Sequence, residues 1–329
     1  MKWIFCYVPL QVFVFATLIG HPSWGIKVDR SGQIYFADIL HHGRGAVWKL
    51  SPTGQLKLLA GDFHAHNVDL DADGQVISAH GEDTHLLVRF REDGEREVLL
   101  RAEYPAFNGG NAAWTQDGRT LFHAEHYIWE MDGQGRKRKF HPQYLEWTQT
   151  LYMDQEGILY VPEKLDDQGR VLALCPDGST VVWGEQLIAQ LDRPFDKYQD
   201  VLLGITKDGA GNLYVCESAG QRILRMEGPG GQPTVFYHPT DGWTPCGIDF
   251  FQGDAYILEY DLRKALKGPR IVRISERGKR ELLYDFEANA HQFVPQDRSS
   301  GRLWWAIVLP FLLVVGRQWV YNRRKDSEE

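Results

Sequence analysis

The sequence predicts an all-β fold, a six-bladed β-propeller. Three observations carry that prediction. A segment that pairs a glycine turn with an apolar strand recurs six times, each copy is followed by a second glycine-turned hairpin, and the recurrence length is that of one propeller blade. The copies are Ile26 to Ala37, Asn67 to Ala79, Asn111 to Ala124, Thr150 to Val161, Gly204 to Val215 and Gly247 to Leu258. Their turn glycines, Gly32, Gly74, Gly118, Gly157, Gly211 and Gly253, are spaced by 42, 44, 39, 54 and 42 residues. The second hairpins turn at or near Gly54, Gly94, Gly133, Gly178, Gly230 and Gly278. Two hairpins per copy make four strands, and six such sheets stacked in a ring cover one another's faces.

Composition agrees. A chain of 329 residues that is 43% hydrophobic, with 33 glycines and 15 prolines, has both the core and the turns of a large all-β domain. Its net charge of −8, with no basic stripe, excludes a nucleic-acid partner. Four cysteines are too few for a disulfide framework.

The two ends read differently from the middle. Met1-Lys2 precedes an uncharged run from Trp3 to Gly20, so residues 1–20 are read as a signal peptide or signal anchor, with Ser23 and Gly25 as small residues near a cleavage point. Residues 21–297 make the propeller, and residues 302–322 are read as a transmembrane helix. Leu303 to Val315 alone spans only about 20 Å as a helix, short of a hydrocarbon core of about 30 Å. Extension to Tyr321 supplies the length, with Arg317 reaching toward the headgroups. Trp304, Trp305, Trp319 and Tyr321 sit at interfacial positions, and Arg323, Arg324 and Lys325 mark 323–329 as a cytoplasmic tail. The propeller is then expected on the extracytoplasmic (periplasmic, luminal or extracellular) side of a membrane.

In the fifth copy, Gly204-Ile205-Thr206-Lys207-Asp208 is followed by Gly211-Asn212-Leu213-Tyr214-Val215-Cys216-Glu217-Ser218 and by Arg222-Ile223. This stretch resembles the NHL repeat, and the likeness extends over roughly residues 21 to 287. The chain also resembles the wider gluconolactonase and paraoxonase class of six-bladed propellers. Both resemblances imply the propeller fold and leave function open.

All twelve histidines fall in or beside loops on one face, the top, where inner strands begin and second strands end. Function concentrates on long loops carried by a rigid scaffold, so the top is the expected functional face. The densest cluster is His64, His66, His80, His85, His123 and His126, with Glu82, Asp83 and Glu125 between them. Such a donor set suits a divalent transition metal such as zinc, and Asp83 or Glu125 is the candidate general base. The placement of His66 and His85 is similar to that of metal-bearing histidines in peptidylglycine amidating lyases. The rim positions of the channel are Gly25, Asn67, Asn111, Thr150, Gly204 and Gly247. Gluconolactonase-like enzymes hold calcium there; with no carboxylate in this set, and their opening Glu motif missing, calcium and lactonase activity are the less favoured expectation.

Asp38, Glu125, Glu163, Glu217 and Glu259 recur after the second strand, as surface braces of the next loop in the manner of Glu217 with Arg222. The long spacing before Gly211 places an insertion at Gly184 to Leu203, where Glu185 to Leu191 has the pattern of one or two helical turns and would form a short lid. Trp24, Phe63, Phe107, Trp147, Phe195 and Trp243 lie in the top loops that lead into inner strands. Cys216 and Cys246, at the top of adjacent blades, are placed for a disulfide in an oxidising compartment.

The functional expectation is a membrane-tethered propeller that binds a small-molecule or protein ligand on its top face through Trp24, Asn67, Asn111, Trp147 and Trp243. The alternative is a metal-dependent hydrolase or lyase that uses the histidine cluster.

Overall fold

The computed structural model describes residues 22–289 apart from 92–94, 116 and 264–265. These residues build six four-stranded antiparallel sheets, each a meander in chain order, over residues 26–61, 65–102, 113–139, 152–185, 202–237 and 244–285. Each sheet packs on the next, and the sixth returns to the first, which makes a six-bladed propeller. The segments 1–20, 302–322 and 323–329 lie outside the described residues. Among the described residues no helix is long and apolar enough to cross a membrane.

The local chemistry of the repeat sets the inner hairpins. Asp29 accepts from the backbone N–H of Ser31 and Gln33 at 2.8 and 2.9 Å, while Gly32 adopts φ 77°. Asp71, Asp154 and Asp208 repeat this arrangement with Gly74, Gly157 and Gly211, and Thr115 substitutes its hydroxyl in blade three. A side chain that captures two turn amides, followed by a residue free to take positive φ, fixes the hairpin register. The second strands are covered on both sides: every residue of Ile34–Asp38, Val76–His80, Thr120–Ala124, Leu159–Glu163 and Leu213–Glu217 is buried. Strands sandwiched between neighbours have no solvent face, hence their unbroken apolar runs.

At the top of the axis the backbones meet. A Cβ on Gly25 would lie 2.3 Å from the Val68 nitrogen, one on Gly247 would lie 2.3 Å from the Trp24 carbonyl oxygen, and one on Gly204 would lie 2.7 Å from the Gly247 Cα. Only glycine permits that approach. Asn67 and Asn111 continue the circle with side chains, Nδ2 of each donating to the next blade, to the Ala112 carbonyl at 3.2 Å and the Thr148 carbonyl at 3.3 Å. Below this rim the axial channel retains about 20 Å³ of open space. The Lys27 ammonium fills it, 3.6 Å from Asp249 and 3.8 Å from Asp69.

Among the described residues the ring closes without a shared strand, since each sheet is built from one continuous stretch. Phe286, directly after the last strand Arg280–Asp285, sets its ring edge-on to Phe36 and Trp48 of blade one, with centroids 6.0 and 5.3 Å away. Two further hydrogen bonds cross this seam, Val28 N–H to Asp249 and Tyr260 Oη to the Ala37 carbonyl.

Two expectations are corrected here. The insertion forms no helix: the strand Thr180–Glu185 runs directly into an irregular loop. Leu187 and Ile188 turn down together into the core between blades four and five, and their N–H groups bond to Gly169 and Gln168 carbonyls. Leu191, which a helical turn would bring onto the same face, is instead 39% exposed. Bidentate Arg193–Asp200 pairing holds the remainder of the loop, so it is pinned at its base rather than hinged as a lid. Cys216 and Cys246 are free buried thiols, and burial pushes both thiol pKa values well up.

Candidate functional site

The histidines of blades two and three are held by backbone, and that decides what they can do. His80 Nδ1 accepts from the His64 N–H at 2.8 Å, and His85 Nδ1 accepts from the Gly109 N–H at 2.8 Å. A neutral imidazole has one acceptor nitrogen, so in both rings the remaining Nε2 carries the proton and has no lone pair for a metal. His66 is buried and stacks on Trp24 at 4.9 Å, with His64 edge-on to it at 4.5 Å. His64 Nδ1 lies 3.1 Å from the Arg44 carbonyl and 3.4 Å from Glu82. His126 is exposed and stacks on Tyr144 at 4.7 Å. His123 Nε2 is buried with no hydrogen-bond partner among the described residues, and one such nitrogen is not a site. Among the described residues no three His, Cys, Asp or Glu side chains come together to hold a metal ion. The six histidines therefore do not fit a zinc-like centre as they stand, and the closed rim with its filled channel does not fit calcium, which needs several convergent oxygens.

Burial favours the uncharged form of His80, His85 and His123. It lowers the pKa of His80, with Arg44 adding to the effect, and that of His85. It takes His123 down to about 4, with His126 as a smaller contributor. A histidine whose folded pKa is depressed contributes stability that is present above its unfolded pKa and lost as pH falls through the folded value. Between pH 7 and pH 4.5 the His123 contribution falls by roughly 2 kcal/mol at about 1.4 kcal/mol per unit. Urea denaturation at the two pH values should show a shallower loss for His123→Gln than for the unaltered chain; equal losses would refute the assignment.

The candidate bases lie apart from any enclosed space. Asp83, at φ 53°, is an exposed turn residue paired with Arg44 at 3.1 Å. Glu125 and His126, at φ 50° and 67°, form an exposed two-residue turn. The other recurring acids do brace loops, but from inside rather than on the surface. Asp38, Glu163, Glu217 and Glu259 are at most 1% exposed. Arg170, Arg222 and Arg270 stand directly opposite the last three on the neighbouring strand. Glu217 also accepts from the N–H of Gly220 and Ala189, which ties the insertion to blade five.

The aromatic residues divide into two groups. Trp24, Phe63 and Phe107 are buried beneath the loops. Trp147 and Trp243 are half-buried, each under a cation: Lys164 is 5.1 Å from the Trp147 ring and Arg270 is 4.1 Å from that of Trp243. Lys164 also approaches Phe195 at 5.6 Å and donates to the Lys197 carbonyl at 2.8 Å. Tyr144, Leu165, Leu191, Phe195 and Tyr198, all in top loops of blades three to five, are 37 to 67% exposed. Tyr144 and Tyr198 were not singled out from sequence, since an aromatic in an irregular loop carries no periodicity. Two concavities lie on the opposite, bottom face. One of about 660 Å³ opens between blades three and four beside Trp114, Arg119 and Tyr152, and one of about 890 Å³ between blades five and six.

No model of a known protein family matches the chain, and no curated protein does. Solved structures do. Virginiamycin B lyase from Staphylococcus aureus is 16% identical with a TM-score of 0.52, covering 79% of this chain and 83% of its own. Aldose sugar dehydrogenase from Streptomyces coelicolor, in its PQQ-bound form, is 14% identical with a TM-score of 0.57, covering 78% and 94%. A gluconolactonase from Xanthomonas campestris is 17% identical with a TM-score of 0.53, covering 72% and 82%. At these identities the likeness establishes the six-bladed propeller fold, shared by proteins of quite different activity.

Proposed function

We propose that the chain is a membrane-tethered extracytoplasmic propeller that binds a protein ligand on its top face. The observation that carries this reading is the aromatic and lysine group around Lys164, where exposed tyrosine, phenylalanine and leucine side chains share one surface with Trp147. Exposed apolar groups collected on one side mark interaction sites, and tyrosine and tryptophan are the side chains that anchor protein interfaces. A recessed small-molecule site on the top would need space that the closed rim does not provide. The hydrolase or lyase reading draws no support from the donor set. Tethering rests on the apolar residues 302–322 with their basic flank.

A photoreactive benzophenone amino acid in place of Tyr198, in cells expressing the full chain, should give one discrete adduct. The same group in place of Asp177, an exposed bottom turn, should give none. Adducts at both positions, or at neither, would sink the top-face reading. Tyr198→Ala should abolish capture by a benzophenone placed at Trp147 while changing stability by no more than about 0.5 kcal/mol. Tethering is tested separately by alkaline carbonate extraction: the full chain should stay with the membrane fraction and a chain ending at residue 297 should not.

A further inference from the structure

The larger bottom concavity has a cause in the chain. The turn 227–233 of blade five, rich in glycine and proline, leans away from blade six, and Gly230 N–H donates to the Trp183 carbonyl of blade four at 3.2 Å. The bottom of the boundary between blades five and six is left open. The resulting cleft of about 890 Å³ falls in the range of small-molecule sites.

Its walls combine two chemistries. Tyr214, Phe236 and Phe250 lie together, with ring centroids 4.6 to 6.2 Å apart, and Ile274 adds an aliphatic surface. Tyr214 is buried, whereas Phe236 and Phe250 are half-buried on the cleft. Two guanidinium groups also line the space, those of Arg225 and Arg280. Arg225 Nε is buried and has no hydrogen-bond partner among the described residues; its NH2 reaches only the exposed Glu227 at 3.2 Å. The Arg225 side chain is 36% exposed, so its terminal nitrogens, shared only with a glutamate in solvent, are open to an anionic oxygen that would make a charge-assisted hydrogen bond. Arg280 donates from Nε to Tyr237 Oη, with Asp241 and Glu259 each 3.7 Å from its NH2. Of the lining acids, Asp208 is already saturated by the N–H groups of Ala210 and Asn212, the Asn212 amide and the Tyr214 hydroxyl, and Glu276 stands exposed at the edge. The unmet capacity of the cleft is cationic, beside an aromatic wall.

We infer that this cleft is a second binding site, for a small aromatic acid, with its ring against Phe236 and Phe250 and its carboxylate or sulfonate on Arg225. The site is on the face opposite the proposed protein-binding surface and does not depend on it. Calorimetric titration of the full-length chain in lipid nanodiscs, against empty discs, uses 2-naphthoate and its neutral analogue 2-naphthamide. The naphthoate should saturate at one per chain and bind about tenfold or more tightly than the amide, as expected of a charge-assisted hydrogen bond. Arg225→Met should erase that difference while leaving amide binding in place, and Phe236→Ala should weaken both compounds. The inference is overturned by an absence of saturable naphthoate binding. It is equally overturned by naphthoate affinity unchanged in Arg225→Met, or by affinity for both compounds unchanged in Phe236→Ala.

Discussion

Lys27→Met is expected to destabilise the propeller by about 2 to 3 kcal/mol at pH 7, and by clearly less at pH 5. Burial by itself would pull the lysine pKa down, but the carboxylates of Asp249 and Asp69 overcome it and hold the ammonium firmly charged. Burial raises the Asp249 pKa, with Lys27 and the Val28 N–H only partly offsetting that effect. The ammonium is therefore what makes two carboxylates tolerable at the axis. Removing one partner of a fully buried ion pair costs about 3 to 5 kcal/mol, and the 12 to 32% exposure of these three side chains places the loss at or just below the low end of that range. In the variant the Asp249 carboxylate, already raised by burial, should lose its main counter-charge and titrate higher still. Such groups contribute stability below the unfolded pKa and lose it as pH rises through the folded one, so the deficit grows from pH 5 to pH 7. Adding Asp249→Asn should recover much of the loss. Urea denaturation at both pH values checks this; a deficit below about 0.5 kcal/mol, or one independent of pH, would show that the channel ion pair is inert.

Arg270→Met should lower stability by about 3 kcal/mol, and Arg270→Lys should not rescue it. The guanidinium is 5% exposed, bonds through Nε to the fully buried Glu259, grips Asp241 with both terminal nitrogens at 2.8 and 3.0 Å, and lies over Trp243. Burial already raises the Glu259 pKa despite Arg270. Without this arginine the carboxylate has only Arg280, at 3.7 Å, as a nearby guanidinium. A lysine is a single point charge and cannot serve two carboxylates and an aromatic face at once. At about 2 to 4 °C per kcal/mol for a domain of this size, the melting temperature should fall by roughly 6 to 12 °C. The equivalent Arg222→Met in blade five, where the guanidinium is 26% exposed, should cost less. Scanning calorimetry of the three variants decides, and equal effects at Arg270 and Arg222 would count against burial as the cause.

The repeat was legible in the sequence because its information is local. An aspartate that caps two turn amides and a glycine three residues on, as in Asp29 and Gly32, write the hairpin into four positions. The bracing acids were legible as braces but not as buried ones, since Arg270 faces Glu259 only once strand register is fixed. The histidine cluster was legible as a cluster and misleading as chemistry. Whether His80 and His85 offer a lone pair depends on backbone amides from His64 and Gly109, and no spacing rule reports which ring nitrogen those amides take. Lys27 went unread for a similar reason. Alternation along a strand of three residues, Ile26–Val28, does not reveal which of its faces looks onto the axis. The bottom cleft needed the lean of a glycine-rich turn toward a tryptophan of the preceding blade, a matter of tertiary direction alone.

The seam at Phe286 carries a consequence for how the ring is assembled. Many closed sheets are sealed by lending a strand from one end of the chain to the other, so that the first and last segments are mutually indispensable. Among the described residues every hydrogen-bonded ladder lies within one uninterrupted stretch, and the joint between the last blade and the first is made by packed rings, the Lys27–Asp249 ion pair and isolated hydrogen bonds such as Val28 N–H to Asp249. The point at which the chain begins is thus incidental to the architecture. A circular permutant opened between any two blades would retain every ladder intact, and the ring is in this sense a set of six interchangeable starting places.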